Sequence, residues 1–243
     1  MKITLEIQRF DPEKDQKPSF QHWEVDAEPG ERLLSVLMRL KQDQEPTLAF
    51  RKSCAHGVCG SDAMVVNGTE RLACKTLIKD VVTEDQLLIR IEPLRTLPIQ
   101  KDLMVDQTGF FDNYIRAKPY LIAGDEPSWP ERLQSPEDRE AFDEGTNCIL
   151  CASCNSACPV IQEKSRDFIG PAAVVQAARF LDDSRDQGLE ARLPELDHPE
   201  GVWRCENRFQ CTRVCPRGIR VTRQINRTKG KIESFRAETG EPS

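Results

Sequence analysis

Ten cysteines, gathered into three groups, constrain this chain more than any other feature of its sequence. The groups are Cys54, Cys59 and Cys74; Cys148, Cys151, Cys154 and Cys158; and Cys205, Cys211 and Cys215. Residues 1–6 carry charges where a secretory signal peptide needs an apolar core, so we expect no export through such a peptide. Because reducing compartments disfavour disulfides, clustered thiols there indicate metal binding or redox chemistry.

Composition narrows the class of protein further. The chain has 243 residues, 38% of them hydrophobic and 30% charged, with a formal net charge of −6. This length corresponds to one large or two modest domains. An acidic total argues against a general nucleic-acid-binding protein, whose surface is basic. No apolar run approaches the ~18–20 residues that span a bilayer. We therefore expect a globular protein without a nucleic-acid partner.

The second cysteine group has the spacing of a cubane iron–sulfur site. The run is Cys148-x2-Cys151-x2-Cys154-x3-Cys158, followed by Pro159. Bacterial ferredoxins hold 4Fe–4S clusters with this run, and its fourth thiol ligates the other cluster of a pair. Structural zinc is the alternative, but zinc sites pair two Cys-x2-Cys units and do not place four thiols in this rhythm. The spacing favours iron and sulfide.

The third group repeats this run with one thiol missing. Counting back from Cys215 and Pro216, the pattern requires a cysteine at position 208, and the residue there is arginine. Because arginine cannot ligate iron, the site is suited to three irons and four sulfides. Crossing of the fourth ligands then predicts a 4Fe–4S cluster on Cys148, Cys151, Cys154 and Cys215. By the same rule, a 3Fe–4S cluster is predicted on Cys158, Cys205 and Cys211.

The first group follows plant-type ferredoxin spacing with one substitution. Cys54-x4-Cys59-x2 leads to Asp62, where a third cysteine is expected, and Cys74 follows as the distant fourth ligand. A carboxylate is a hard anionic donor that ligates ferric iron, so the spacing predicts a 2Fe–2S cluster on Cys54, Cys59, Asp62 and Cys74. In the alternative interpretation, Asp62 only accepts backbone hydrogen bonds, and Ser61 or water completes the site.

Hydrophobic periodicity predicts the fold of the first half. Alternating apolar residues indicate strands at 3–7, 20–25 and 85–92. A helix is predicted from Leu33, Leu37 and Leu40, which lie on one helical face. This order predicts a β-grasp, plant-type ferredoxin-like domain over residues 1–98.

Helical patterns dominate the second half, after a proline-containing linker at 94–101. Helices are predicted at 135–144 and after Gly170-Pro171, and a frayed tail is predicted at 236–243. We therefore predict an α+β chain whose second domain, residues 99–243, is all-α and bacterial-ferredoxin-like.

A basic segment lies near the C-terminus of this acidic chain. Residues 207–232 contain eight Lys or Arg and no Asp or Glu, and a helix would align Arg220, Arg223, Arg227 and Lys231 in one stripe. Two interpretations stay open. The stripe is a solvated basic face, or it contacts lipid phosphates or anionic groups of a membrane partner.

No flavin, nicotinamide or nucleotide motif accompanies the cysteine groups, and no nucleophile–base pair is evident. The chain is therefore predicted to carry electrons between partners and to have no catalytic residues of its own. A free-standing ferredoxin carrier and a zinc-stabilised scaffold are the alternatives. A soluble carrier would not need three clusters and two domains, and a scaffold would contain zinc.

Together these motifs resemble the iron–sulfur subunit of succinate dehydrogenase and of its relative, fumarate reductase. The resemblance rests on residues 51–62, 148–151, 167–172 and 211–216, and it covers essentially the whole chain. It implies the electron-transfer subunit of a succinate:quinone oxidoreductase. Electrons would pass from FAD through the 2Fe–2S, 4Fe–4S and 3Fe–4S clusters to quinone. Asp62 favours the succinate dehydrogenase branch, and a quinol:fumarate reductase is the alternative.

The resemblance also implies partners and a location. The partners would be a flavoprotein subunit with covalent FAD and membrane anchor subunits that bind quinone and usually haem b. The chain would lie peripherally on the cytoplasmic face of the inner membrane, or on the matrix face in a mitochondrion, held by the anchor.

The quinone end departs from the family pattern. Pro159 and Lys229 match it, which makes them candidates for the quinone or anchor side. However, residues 160–163 lack the tryptophan of ubiquinone-linked members, Glu206 replaces a histidine, and Arg208 replaces an apolar residue. We therefore expect menaquinone or a differently placed quinone.

Overall fold

The computed structural model describes residues 1–124 and 131–240, and the chain divides into two compact units. The first unit comprises Met1–Gln107 and Ile149–Ala157, and the second comprises Thr108–Cys148 and Cys158–Ser243. The domain boundary between residues 98 and 99 stays a prediction, and the compact units divide the chain at other points.

A five-stranded sheet forms the frame of the first unit. Its strands are β1 (Lys2–Arg9), β2 (Ser19–Asp26), β3 (Ala63–Val66), β4 (Thr69–Leu72) and β5 (Leu88–Glu92). Their order is β2-β1-β5-β3-β4, with β1 and β5 parallel at the centre and the other neighbours antiparallel. Helix α1 (Leu33–Asp43) follows β2. This is the predicted β-grasp.

One hydrophobic core joins the sheet to α1. Ile3, Leu5 and Ile7 alternate into it from β1, and Leu33 and Leu37 enter it from α1. All five side chains are essentially inaccessible to water. Burial of each such side chain is worth about 1.5–3 kcal/mol. The core therefore consists of the residues that the strand alternation of β1 and the helical spacing of α1 predict to be buried.

The segment expected to be a linker is folded into the first unit, so that expectation is wrong. It contains β6 (Ile99–Lys101), which pairs with β7 (Met104–Val105). Between them, Asp102 is 2% exposed and accepts hydrogen bonds from Arg9 Nε at 3.0 Å and from the Ala49 amide at 2.9 Å. Proline and mixed charge suggested a linker, but a buried carboxylate fixes this hairpin.

Among the described residues, the second unit contains helices and no strands. In chain order the remaining helices are α2 (Thr108–Arg116), α3 (Pro136–Thr146), α4 (Ser153–Ser156, in the first unit), α5 (Pro159–Glu163), α6 (Pro171–Leu181), α7 (Leu189–Leu196), α8 (Gln210–Arg213) and α9 (Val221–Thr239). Helix α6 is central and contacts α2, α3, α7 and α9. It is buried on all sides from Pro171 to Ala178, as expected for an apolar helix without a polar face.

The last helix overturns one expectation and shows the partners of the basic stripe. The predicted frayed tail is wrong for residues 236–239, because α9 extends to Thr239; residues 241–243 lie outside the described part. The basic stripe is largely paired within the second unit. Arg220 pairs with Glu144 at 2.9 Å. Asp182 pairs with two further cations of the stripe, Arg227 at 3.2 Å and Lys231 at 3.3 Å.

In the described residues, no helix combines the length and apolar character needed to cross a membrane.

Candidate metal centres

The first cysteine group lies on a loop of the first unit whose backbone amides point at sulfur. Residues Ala55, Gly57 and Gly60 have positive φ angles of 61°, 83° and 69°. The loop thereby directs the amides of His56 and Val58 toward Cys54 Sγ. The hydrogen bond from His56, followed by those with the Cys59 side chain and the Val58 amide, lowers the pKa of Cys54 to about 6. Convergent amides of this kind stabilise anions such as thiolate and sulfide.

Asp62 occupies the position that the cysteine spacing assigns to a ligand. Its side chain is 2% exposed, and its Oδ2 accepts a hydrogen bond from the Cys74 amide at 2.5 Å. Its Oδ1 is buried and has no hydrogen-bond partner in the described residues. A buried carboxylate oxygen without a partner is costly. One oxygen thus serves the backbone, as in the alternative interpretation, and the other is available to a metal.

Cys74 is fully buried beside this carboxylate. Burial, with a further contribution from Asp62, raises the pKa of the Cys74 thiol to about 12. A thiolate at this position therefore requires a compensating cation. Iron would supply the charge, and its binding would release the thiol proton.

The start of α1 positions the loop that carries Cys74. The α1 amides of Leu33 and Leu34 have no side-chain cap, and they donate instead to the carbonyls of Thr76 at 2.9 Å and Ala73 at 3.1 Å. The guanidinium of Arg32 also donates to the Cys74 carbonyl. The free N–H groups of a helix N-terminus are thus satisfied by the ligand loop.

Part of the second cysteine group belongs to the first unit. Cys151 is 8% exposed and joins the core of that unit. A Cβ built on Gly60 would lie 2.6 Å from Cβ of Cys151, so only glycine allows this approach. Cys154 lies in α4 of the same unit, whereas Cys148 and Cys215 belong to the second unit. The proposed set of four ligands stays a prediction.

The third group repeats the backbone of the second in register. Leu150 and Ala152 have φ angles of 52° and 61°, and Asn207 and Phe209, the corresponding residues, have 56° and 62°. Each pair is followed by a four-residue helix, α4 or α8. Left-handed conformations of non-glycine residues cost of order 1–3 kcal/mol each and cluster at functional sites. Position 208 therefore keeps the place of Cys151 in the backbone, without its thiol.

Three thiols of the second unit face one cavity. Its wall contains Cys158, Cys205 and Cys211. Burial, with contributions from the other two thiols, raises the pKa of Cys158 to about 11. Burial also raises the pKa of Cys211. Three thiols around one small cavity fit a metal cluster that neutralises their thiolates.

Charged residues border this cavity. Glu206 and Arg208 both line it. Glu206 pairs with Lys164 at 2.5 Å and with Arg208 at 3.4 Å. The Arg208 side chain is 61% exposed. At the position where the cysteine run predicts a thiol, the chain therefore carries a salt-bridged arginine.

The two candidates for the quinone side lie next to the same thiols. Pro159 begins α5 directly after Cys158 and contributes to the cavity wall. Lys229 Nζ donates a hydrogen bond to the Cys205 carbonyl at 3.0 Å.

Among the described residues, no three His, Cys, Asp or Glu side chains form a group that could hold a single metal ion.

Comparison with known proteins identifies the family. A 2Fe–2S iron–sulfur cluster binding domain matches residues 4–112, and a 4Fe–4S dicluster domain matches residues 144–219. The succinate dehydrogenase iron–sulfur subunit of Coxiella burnetii is 41% identical over 232 residues, which cover 95% of this chain and 97% of that protein. The chain belongs to the succinate dehydrogenase iron–sulfur subunit family.

Two further relatives agree with this assignment. The mitochondrial succinate dehydrogenase [ubiquinone] iron–sulfur subunit of Candida glabrata is 39% identical, with 94% of this chain and 90% of that protein covered. A chain of the Mycobacterium smegmatis Sdh1 complex in the apo form has a TM-score of 0.84 and 28% identity, with 97% of each chain covered. As a succinate dehydrogenase iron–sulfur subunit, the chain transfers electrons within a complex with other subunits.

The sequence analysis missed the strained residues of the two cysteine runs. Neither Leu150 nor Phe209 belongs to a residue type that favours positive φ. An alignment of the two runs in register would have paired Leu150 with Asn207 and Ala152 with Phe209, because Cys148–Cys158 and Cys205–Cys215 have equal spacing.

Proposed function

We propose that the chain holds three clusters of different nuclearity and forms the electron path between the flavin and the quinone of its complex. The proposed ligands of the 2Fe–2S cluster are Cys54, Cys59, Asp62 and Cys74. Those of the 4Fe–4S cluster are Cys148, Cys151, Cys154 and Cys215. Those of the 3Fe–4S cluster are Cys158, Cys205 and Cys211. When bound, the clusters supply one-electron chemistry with potentials set by their surroundings.

The repeated backbone of the second and third groups is the observation that carries this proposal. Both runs place non-glycine residues in left-handed conformations at the same two steps, before a four-residue helix. The third run thus has the same backbone conformation as the second, although Arg208 replaces one of its four cysteines. A backbone that matches a four-cysteine run but lacks one thiol supports a cluster of three irons.

The residues of the chain contribute charge and shape to this path. Amides near Cys54 stabilise thiolate, and the orphaned oxygen of Asp62 supplies a hard donor. Gly60 brings the first loop against Cys151 within the first unit. Electron transfer between neighbouring clusters benefits from such close approach of their ligands.

We also infer the partners and the direction. The donor is a flavoprotein with FAD, and the acceptor is quinone in a membrane anchor that carries haem b. The chain lies on the cytoplasmic face of the inner membrane, or on the matrix face in a mitochondrion. Pro159 and Lys229 lie on the quinone side, next to the proposed 3Fe–4S ligands. A quinol:fumarate reductase with the same path is the second candidate, favoured by no observation of this structure.

Assay of the intact complex tests the direction. We expect faster succinate oxidation with a quinone acceptor than fumarate reduction driven by quinol. Faster fumarate reduction would favour the second candidate.

Extraction of the co-purified quinone tests the expected departure at the quinone end. The altered positions 206 and 208 support menaquinone or a displaced quinone. Ubiquinone located beside Pro159 would contradict that expectation.

A further inference from the structure

The segment that leads into the third cysteine group is held by α9 at two points. At the first, Lys229 Nζ donates to the carbonyl oxygen of Cys205 at 3.0 Å. At the second, Arg236 Nε and Nη2 donate to the two oxygens of Asp197 at 2.8 and 2.6 Å. Asp197 ends α7, so these contacts bracket the whole segment 197–205.

Trp203 joins the two points. Its Nε1 donates to Asp197 Oδ1 at 2.6 Å. The guanidinium carbon of Arg236 lies 5.4 Å from the indole centroid, and Lys229 Nζ lies 5.9 Å from it. Both distances are within the range of cation–π attraction. The tryptophan is therefore fixed by a carboxylate at its edge and by two cations near its ring.

The helical spacing of α9 makes this grip possible. Lys229, Ile232 and Arg236 follow one another at three and four residues, so they share one face of the helix. Ile232 is fully buried between the two cations, and Val202 of the segment is fully buried as well. The Arg236–Asp197 pair is only 25% and 11% exposed. A bidentate pair with this little exposure is geometrically specific.

The contacts end on a residue of the proposed 3Fe–4S site. Glu206 and Arg208, which lie one and three residues after Cys205, line the cavity together with the three thiols. The ammonium of Lys229 is thus the cation bound to the backbone of that ligand. A positive charge there stabilises the reduced cluster, which carries one more negative charge than the oxidised cluster.

We propose that Lys229 and Arg236 are positioning residues for the 3Fe–4S cluster, and that α9 sets the place of Cys205 through a two-point clamp on segment 197–205. The inference rests on the proposed role of Cys205 as a ligand. It gives the last turns of α9 a role in electron transfer that the expectation of a frayed tail did not include.

Substitution of Lys229 tests the first point in the purified complex. We expect Lys229→Gln to lower the midpoint potential of the 3Fe–4S cluster in an EPR-monitored redox titration, and Lys229→Arg to restore most of the shift. Arg223→Gln is the matched control, because Arg223 is an exposed cation of the same helix and lies outside the clamp. An unchanged potential in Lys229→Gln would overturn the role of Lys229.

Substitution of Arg236 tests the second point by cluster retention. The oxidised 3Fe–4S signal is divided by the reduced 2Fe–2S signal of the same sample, which corrects for the amount of complex. Since changes outside the ligands cost about 10–100-fold in metal affinity, we expect the ratio to decline about 10-fold faster in Arg236→Gln on storage in air. Asp197→Asn should behave alike, and the double variant should add little to either.

The outcomes separate the clamp from the proposed function. If the parent complex shows no oxidised 3Fe–4S signal, the ligand assignment is wrong. If the parent shows it and Arg236→Gln and Asp197→Asn retain it like the parent, the clamp is wrong and the assignment stands. Should Arg236→Gln fail to assemble, Arg236→Lys keeps the charge without the bidentate geometry. An accelerated loss in that variant supports the clamp, and an unchanged ratio overturns it.

Discussion

At the scale of single residues, Asp62 and Arg208 distinguish this chain from a simple set of cysteine motifs. Each stands where a spacing rule asks for a thiol. Their environments differ. Asp62 is buried with one carboxylate oxygen unpartnered in the described part of the chain, whereas Arg208 extends to solvent and pairs with Glu206. Asp62 therefore fits the role of a replacement ligand, whereas Arg208 fits a position from which the ligand has been lost.

For Asp62, we expect Asp62→Cys to keep the 2Fe–2S cluster and to raise its midpoint potential, because a hard oxygen donor favours ferric iron more than thiolate does. Potentiometric EPR of the complex measures the shift. Ser61→Ala is the control, since Ser61 contacts Cys59 Sγ at 3.2 Å and is the alternative ligand. A 2Fe–2S spectrum unchanged in Asp62→Ala would refute the assignment of Asp62.

For Arg208, we expect Arg208→Cys to convert the 3Fe–4S cluster toward a cubane. The backbone on both sides of this position already matches that around Cys151, so the new thiol would stand where a corner ligand is needed. The measurement is loss of the oxidised 3Fe–4S EPR signal after reconstitution with iron. Arg208→Ser removes the same charge and should retain the signal. Full retention in Arg208→Cys would show that the two runs do not present equivalent corners.

For Glu206, removal of its charge should make reduction of the neighbouring cluster easier. We expect Glu206→Gln to raise the 3Fe–4S potential by on the order of a few tens of millivolts, and Arg208→Gln to lower it. High salt should shrink both shifts, because Glu206 is only partly buried. Shifts of the same sign in the two variants would rule out a charge effect.

At the scale of elements, a buried ion pair joins α7 to the chain after α2. Arg192 and Asp186 have side chains that are 0% and 1% exposed. Arg192 also donates to the Tyr120 carbonyl at 2.7 Å, and Asp186 accepts from the Ile122 amide at 2.9 Å. Loss of one partner would leave a buried charge uncompensated.

We therefore expect Arg192→Met to lower the stability of the second unit by about 3–5 kcal/mol. Thermal melting of the complex would show this as a lower transition temperature. Arg139→Met is the control, because Arg139 and Asp143 form an exposed pair on α3. Exposed pairs of this kind contribute about 0–1 kcal/mol. Equal melting of the two variants would contradict the stabilising role of the buried pair.

Elements with strong periodicity were predictable from the sequence, and those fixed by long-range polar contacts were not. The alternation of Ile3, Leu5 and Ile7 identified β1, because one face of that strand is buried. The β6–β7 hairpin was missed because Asp102 is stabilised by groups far away in sequence, such as Arg9. The end of α9 was missed for the same reason, since Asp197 holds Arg236.

The candidate sites show the same division. Cysteine spacing predicts the three ligand sets, because ligand spacing is local, and those sets stay predictions. The unpartnered oxygen of Asp62 and the cavity around Cys158 depend on burial, which spacing does not encode. The basic stripe was open to two interpretations, and the structure pairs most of it with Glu144 and Asp182, which lie on other elements.

At the scale of the whole molecule, the chain combines two kinds of iron–sulfur domain in one electron-transfer subunit. Its first unit brings the plant-type loop against Cys151, and its second unit gathers Cys158, Cys205 and Cys211 around one cavity. Membership of the succinate dehydrogenase iron–sulfur subunit family explains why one chain carries both kinds of site. The order of the three centres is the central proposal.

Metal analysis combined with EPR of the anaerobically purified complex tests that proposal most directly. It predicts nine irons per chain, the sum of clusters of two, four and three irons. The oxidised sample should show a 3Fe–4S signal that disappears on reduction, and a 2Fe–2S signal should then appear. Zinc with little iron, or an oxidised sample without the 3Fe–4S signal, would contradict the proposal.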